Sequence, residues 1–399
     1  MPLFLYLLGL AVFAQGTSEF MLAGLGPDIA RDLGVPLSDA GLLTSAFAVG
    51  MVIGAPAMAL LARRFPPRAA LLAFLAAFLA VHVAGALTGS FAVLLAMRVL
   101  GALANAGFLA VALATAVTLV RPDQKGRATS VLLGGVTLAC VAGVPAGALL
   151  GQLWGWRAAF WAVAAVSAPA LLAILRSAPA ANAATAPAPE HTPDVTTELR
   201  TLRRRSLQLT LLLGALVNGA TFCAFTYLAP VITDAARLAE SWVPALLALF
   251  GLGSFLGVTL AGRFGDGRPR TVLAGGTAAL LCAWTAFALT AHWPVATTVA
   301  TLTLGTLSFA VGATLISRIL YAAEAAPTLG GAYATAAFNV GAVIGPALGG
   351  LALTWGPRGP LWVSAGLVAA ALAATPWMLR VAEVTSADEA AYIQAPSTP

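Results

Sequence analysis

Gly16-Thr17-Ser18-Glu19-Phe20-Met21 lies within an apolar run that extends from about Leu3 to Leu25. At about 1.5 Å of rise per helical residue, such a run crosses a hydrocarbon layer about 30 Å thick. Of the fifteen acidic residues in the chain, Glu19 is the one that falls deep inside a membrane-length segment. A charged carboxyl in hydrocarbon is costly, so this group must face an aqueous cavity, find a partner or take up a proton. Burial and a nearby cation act on it in opposite senses, which suits a group that cycles between protonation states. The plainer alternative is a structural glutamate tied permanently to a neighbouring helix. Residues 1–15 have no basic segment and the apolar run continues past Glu19, so a retained helix is expected rather than a cleaved signal.

The rest of the chain has the same character: 60% hydrophobic residues and 9% charged, with a mean hydropathy of +0.92. Soluble domains carry about 25% charged residues, so the composition predicts an all-α polytopic membrane protein. A net charge of +6 is then a matter of loop composition, and nucleic acid is not an expected partner. Cys140, Cys223 and Cys282 fall singly in separate apolar runs, without metal or disulfide spacing, and read as packing residues.

Apolar runs of helical length recur twelve times, at about 3–25, 40–61, 69–88, 91–120, 128–153, 157–176, 207–230, 243–262, 271–291, 295–320, 328–354 and 360–379. This divides the chain into a first six-helix bundle (1–176), a linker (177–206), a second six-helix bundle (207–380) and a tail (381–399). Pro179, Pro187, Pro189 and Pro193 among Ala and Thr predict a flexible linker without a core of its own. Its basic end, Arg200 with Arg203, Arg204 and Arg205, is expected against anionic lipid headgroups. Alternate loops differ in charge. One set holds most of the basic residues, among them Arg63, Arg64, Arg68, Arg121, Lys125 and Arg127, whereas the other holds Arg31, Arg157, Arg237 and Arg358. The positive-inside rule puts the first set, both termini and the linker in the cytoplasm, with the chain in the cytoplasmic (inner) membrane.

The halves repeat each other. A shift of 203 residues lays Phe47, Gly54 and Pro66 on Phe250, Gly257 and Pro269, and a shift of 201 lays Phe108 and Pro145 on Phe309 and Pro346. A parallel repeat of six helices predicts two bundles with a substrate site between them near the membrane midplane. Gly143, Pro145 and Gly147 punctuate the fifth run, and Gly341, Gly345, Pro346 and Gly349 the eleventh. Glycine permits close helix approach and proline bends a helix, so these residues also serve plain packing.

Taken together these features resemble the major facilitator superfamily, and within it the twelve-helix drug:proton antiporters. Gly341-Ala-Val-Ile-Gly345-Pro346-Ala-Leu-Gly349-Gly350 looks like that family's antiporter motif, with a variant copy at Gly143–Gly147. Arg98 with Gly101 looks like its fourth-helix arginine motif. The loop motif has a counterpart around Asp266 and Arg268, whereas the first-half copy departs, with Arg63 where the acid is expected. More narrowly, the run Gly16–Gly24, together with Leu43–Gly50, Ala104–Ala112 and Leu216–Phe222, resembles actinobacterial chloramphenicol-resistance exporters.

The resemblance implies that helices one, four, seven and ten line a central cavity. Glu19 is then the expected proton carrier and Arg98 the cation that acts on it; the alternative for Arg98 is snorkelling to an interface or bonding helix-end carbonyls. Asn105, Asn218 and Tyr227 are candidate polar contacts to substrate, and Phe108, Phe222 and Phe309 candidate aromatic ones, with helix packing as the alternative for each. His82 reads as a structural hydrogen-bonding residue, and Asp28 as an external loop or cap residue.

The implied partners are a small amphiphilic substrate, protons and membrane lipid, acting on a monomer. The competing reading is a porter for a sugar or other metabolite, which would call for more polar groups at membrane depth. Enzyme activity is disfavoured: His82, His191 and His292 are dispersed, and no Ser-x-x-Lys or His-Glu-x-x-His pattern occurs. No P-loop is present and no cofactor or metal is expected, so an ion gradient must supply the energy.

Overall fold

A computed structural model describes residues 3–61, 65–121, 124–176, 195–264, 269–326 and 329–394. The described residues form helices and no strands. Twelve of these helical segments are long and apolar enough to cross a bilayer, so the chain is a multi-pass membrane protein.

The first run does not form one uniform helix. Helix α1 (Leu3–Phe20) stops at a turn on Met21, and α2 (Leu22–Leu33) carries the path further than hydropathy indicated. The Thr17 hydroxyl donates to the Phe13 carbonyl at 2.8 Å, a back-bond of the kind that bends helices. Gly24 N–H bonds the Met21 carbonyl three residues back, tightening the turn, and Pro27 has no N–H to offer Ala23. Gly34, in the left-handed region at φ 66°, caps α2.

Helices α3 (Leu37–Leu61), α4 (Pro67–Leu87) and α5 (Phe91–Thr118) follow. The fifth crossing is α6 (Lys125–Leu138), a π-helical turn over Ala139–Gly143, and α7 (Val144–Trp154). Pro145 cannot donate to the carbonyl four residues back, and the helix widens just before it. Helix α8 (Trp156–Arg176) completes the first half.

The described end of the linker is helical, and Pro179, Pro187, Pro189 and Pro193, on which the expected flexibility rests, lie outside the described residues. Residues 195–200 form α9 (Val195–Arg200), and a 3-10 turn follows over Thr201–Arg203. Glu198 is buried, its carboxylate accepts the Leu329 N–H at 2.8 Å, and its carbonyl accepts the Tyr333 hydroxyl at 3.0 Å. The first N–H groups of a helix lack internal partners and attract negative charge, which is why an acid docks there.

The second half comprises α10 (Arg205–Thr226), the short α11 (Leu228–Pro230) with a π turn over Val231–Ala235, α12 (Val243–Phe264), α13 (Pro269–Thr290), α14 (Pro294–Ala322), α15 (Gly330–Ala352) and α16 (Gly359–Gln394). The glycines of the eleventh run do what small residues do in membranes. A Cβ at Gly341 or Gly345 would collide with the carbonyl oxygens of Ala215 or Gly219, so α15 lies backbone to backbone against α10. Separate apolar clusters fill the two halves: Leu5, Leu75 and Phe108 in the first, and Leu280, Phe287 and Leu304 in the second. Between the halves, α3 packs on α15, and α12 packs on α7 and the π turn before it.

Candidate functional site

A cavity of about 400 Å³ lies between the halves. Its walls follow helical spacing: Leu133, Val136, Thr137 and Cys140 from the fifth crossing, Val217, Asn218, Thr221 and Phe222 from α10, and Ser308, Gly312 and Ile316 from α14. Ser254 and Val258 of α12, Phe309 of α14, and Phe338 and Asn339 of α15 complete the second-half wall, with Glu19 and Phe20 facing them from α1. Except for Glu19, this wall is apolar, aromatic or weakly polar.

A chain of five phenylalanines forms a roof, with Phe20, Phe222 and Phe309 on the cavity wall and Phe225 and Phe250 packed behind them in the core. Phe20 stacks on Phe222 at 5.6 Å between ring centroids, Phe222 meets Phe225 edge-on at 6.5 Å, Phe225 lies 4.6 Å from Phe250, and Phe250 meets Phe309 at 6.2 Å. Beyond that roof, away from the end that holds the chain termini, polar contacts join the halves. The Ser45 hydroxyl donates to the Val343 carbonyl at 2.8 Å, and the Gln152 amide to the Glu240 carbonyl at 2.6 Å. Tyr227 is fully buried here, donating to the Pro346 carbonyl at 2.9 Å, with the Ser38 carbonyl of the other half at 3.4 Å. The cavity therefore occupies the middle and the termini side of the molecule, and the opposite side is shut.

Glu19 is half-buried, and among the described residues no hydrogen bond or ion pair engages its carboxyl. Arg98 does not contact it. The guanidinium is 2% exposed and does not snorkel: Nη1 donates to the Ser18 carbonyl at 2.9 Å and to Ser18 Oγ at 3.0 Å, Nε to the Leu43 carbonyl at 3.4 Å, and the group lies 4.4 Å from the Phe47 ring centroid. His82 completes the cluster, with Nε2 2.6 Å from Ser18 Oγ and Nδ1 2.7 Å from the Phe78 carbonyl.

Of the residues expected at the site, the structure brings Glu19, Asn218, Phe222 and Phe309 together on the cavity wall. Asn218 donates its amide to the Phe338 carbonyl at 2.7 Å, which leaves its oxygen as an acceptor. Three other residues expected at the site lie off the cavity wall in this structure. Asn105 points into the seam between α5 and α3 toward Met51 Sδ at 3.7 Å, Phe108 is buried in the first-half core, and Tyr227 is spent as a clasp beyond the roof. Gly143 packs on Thr17 and Gly147 on Met21, so the variant motif of the fifth helix lies directly against the segment that carries Glu19. Asp266, Arg268 and Arg63 lie outside the described residues. Sequence reasoning missed Ser308, Ser254 and Asn339. Ser308 is 4% exposed and its hydroxyl has no partner among the described residues.

Asp28 and Asp32 belong to the shut end. Asp28 pairs with Arg31 at 3.2 Å; burial lifts its carboxyl above the usual carboxylate range, against the pull of Arg31. Asp32 takes hydrogen bonds from Arg157 and from Trp156 Nε1 (3.0 Å), and these hold its carboxyl below that range. Neither lies on the cavity wall.

Residues 8–337 match the family model of the Major Facilitator Superfamily. Over 93% of its length the chain is 56% identical to a chloramphenicol resistance protein of Streptomyces lividans, of which the match covers 95%. It is 32% identical to the inner membrane transport protein YdhP of Escherichia coli (strain K12), with 88% of each chain covered. Among solved structures, a bacterial homolog of the human lysosomal transporter Spinster, in an inward-facing and occupied conformation, superposes with a TM-score of 0.72. That superposition covers 95% of this chain and 96% of the other at 17% identity. The chain is a transporter and belongs to the major facilitator superfamily.

Proposed function

We propose that this protein is a proton-coupled antiporter that exports a small, uncharged or weakly polar amphiphile, chloramphenicol first among them, from the cytoplasm by alternating access. The observation that carries the reading is a single unpaired carboxyl, Glu19, on the wall of a cavity otherwise aromatic and uncharged. The 56% identity to a chloramphenicol resistance protein supports the choice of substrate. The loop charges support a cytoplasmic termini end, and in that orientation the cavity of a cytoplasmic-membrane exporter is reached from inside.

The chemistry follows from the wall. Phe20, Phe222, Phe309 and Phe338 offer ring faces to an apolar body, and Asn218, Ser308 and Asn339 offer hydrogen bonds that orient it. A charged Glu19 accepts a hydroxyl or amide N–H of the drug in a charge-assisted bond. When the halves rock and open outward, a proton from outside adds to the carboxylate, that acceptor is lost, and the drug leaves. On return the proton departs to the cytoplasm and drug binds again. Proton and drug thus disfavour each other, and the linkage is reciprocal.

The test is uptake of labelled chloramphenicol into inside-out vesicles, with and without a collapsed pH gradient. Accumulation that disappears with the gradient is expected. Folded protein that accumulates none would overturn the substrate, and accumulation indifferent to the gradient would overturn the coupling.

A further inference from the structure

Behind α1, on the side away from the cavity, a buried cation is held in a way that the transport cycle described above does not use. A buried guanidinium needs acceptors for its donors. Arg98 finds them on Ser18, the neighbour of Glu19 in sequence. Successive helical residues point about 100° apart, so Ser18, fully buried, faces the first-half interior while Glu19 faces the cavity. Arg98 and Glu19 therefore lie against adjacent faces of one helix, close enough to interact electrostatically and without a shared hydrogen bond.

The proton positions in the cluster follow from its acceptors. The Phe78 carbonyl can only accept, so His82 Nδ1 carries the hydrogen and Nε2 is left as an acceptor. Ser18 Oγ–H donates to Nε2, which turns the serine lone pairs toward Arg98 Nη1. The imidazole cannot turn freely, because Phe78 and Phe160 lie against it with ring centroids at 4.1 and 5.8 Å. Each bond in the series from Phe78 to Arg98 thus has one direction. Arg98 Nη2 is buried without a partner, so a guanidinium released from Ser18 has an unsatisfied donor with which to seek the nearest anion.

We propose that His82, acting through Ser18, is a positioning residue for proton coupling: the pair hooks Arg98 behind α1, so that it acts on Glu19 through space and does not lock it into an ion pair. The proposal rests on the antiport reading. The titratable and charged groups around Glu19 are Arg98 of α5, His82 of α4 and Cys140 of the π turn; the faces of α10, α12, α14 and α15 bring uncharged Asn218, Ser254, Ser308 and Asn339.

The experiment measures the pH dependence of labelled chloramphenicol binding to the purified full-length protein and to His82→Leu, His82→Gln, Ser18→Ala and Glu19→Gln. Losing the Oγ acceptor leaves Nη1 on the Ser18 carbonyl alone and lets the guanidinium turn around α1 toward the carboxylate, so the acid-side midpoint of binding in His82→Leu and Ser18→Ala is expected to move down by about one pH unit or more. His82→Gln, whose amide oxygen can still accept from Ser18, is expected to keep the wild-type midpoint. Ser18→Ala removes one buried oxygen and keeps the proposal testable if His82→Leu does not fold. An unmoved midpoint in folded Ser18→Ala, or a shift in His82→Gln as large as in His82→Leu, overturns the hook. A pH dependence that survives in Glu19→Gln overturns instead the assignment of Glu19 as carrier.

Discussion

Counted from the start of the corresponding helices, matching levels of the two halves carry opposite chemistry. Glu19 is the seventeenth residue of α1, and the seventeenth of α10 is Thr221, whose hydroxyl is bound to its own helix at Val217. Arg98 is the eighth residue of α5, and the eighth of α14 is Thr301, which likewise turns its hydroxyl back onto Thr297. The sixteenth residue of α4 is His82, and the sixteenth of α13 is Trp284. Where the first half buries a guanidinium, an imidazole and a serine, the second buries Thr301 and Trp284 beside Phe225 and Phe250. The scaffold is duplicated and the chemistry is not. Helix packing depends on shape and small residues, so either half tolerates either filling. A buried charge is tolerated only where acceptors are supplied, and those stand behind α1. In the antiport reading the first half handles the proton and the second half supplies most of the drug-binding wall.

The largest expected effect separates the two roles. Glu19→Gln keeps the size of the side chain and removes the titration, so gradient-driven accumulation of chloramphenicol should fall by more than about tenfold, within the range of ordinary coupling energies. Drug binding at neutral pH should persist on the aromatic wall. Full gradient-driven export by the variant would break the division between the halves. Phe222→Ala should do the reverse. Removing one aromatic contact, worth about 0.5–1.5 kcal/mol beyond its area, weakens binding roughly two- to tenfold. The pH dependence of the transport that remains should match wild type. A Phe222→Ala protein whose pH profile moved while its affinity did not would put proton handling in the second half as well.

How much of this was legible in the sequence varies with the physics behind each feature. The crossings were, because hydrocarbon demands long apolar helices. The place of Glu19 on a cavity was as well, since a lone acid in an apolar run must avoid hydrocarbon. Asn105, Phe108 and Tyr227 were assigned to the cavity because their helices are apolar on every side, and such a helix does not announce which face looks inward. Tyr227 turned out to be fixed by a carbonyl 119 positions away. Ser308 was invisible for another reason. Hydroxyls in these helices commonly bond the carbonyl four residues back, as Thr210, Thr285 and Thr314 do, and residue type does not reveal which one stays free. Glu198 was hidden in a proline- and alanine-rich linker, and its partner Leu329 lies 131 residues on.

The smallest expected effect concerns how the first half is pinned at the shut end. There Asp32 of α2 receives Arg157 and Trp156 of α8, Arg157 lies over the Trp156 ring at 4.3 Å, and its Nη2 donates to the Thr88 carbonyl at 3.0 Å. In the second half, Asp234 of the π turn accepts the neighbouring Thr233 hydroxyl at 2.8 Å, a bond that joins no second helix. The tether between α2 and α8 is thus ionic, and it is exposed, with side chains 36% and 46% accessible. Screening limits such a pair to about 0.2–1 kcal/mol. Because the Asp32 carboxyl is held below its ordinary range, its contribution is present above that range and is lost as pH falls through the lowered value. Asp32→Asn should therefore lower the thermal midpoint of the detergent-solubilised protein slightly at neutral pH. The difference from wild type should shrink in high salt and close well below the carboxylate range. A gap that survived both would mean that Asp32 holds α2 by hydrogen-bond geometry, which Asn only partly reproduces, and the ionic contrast between the halves would fail at this end.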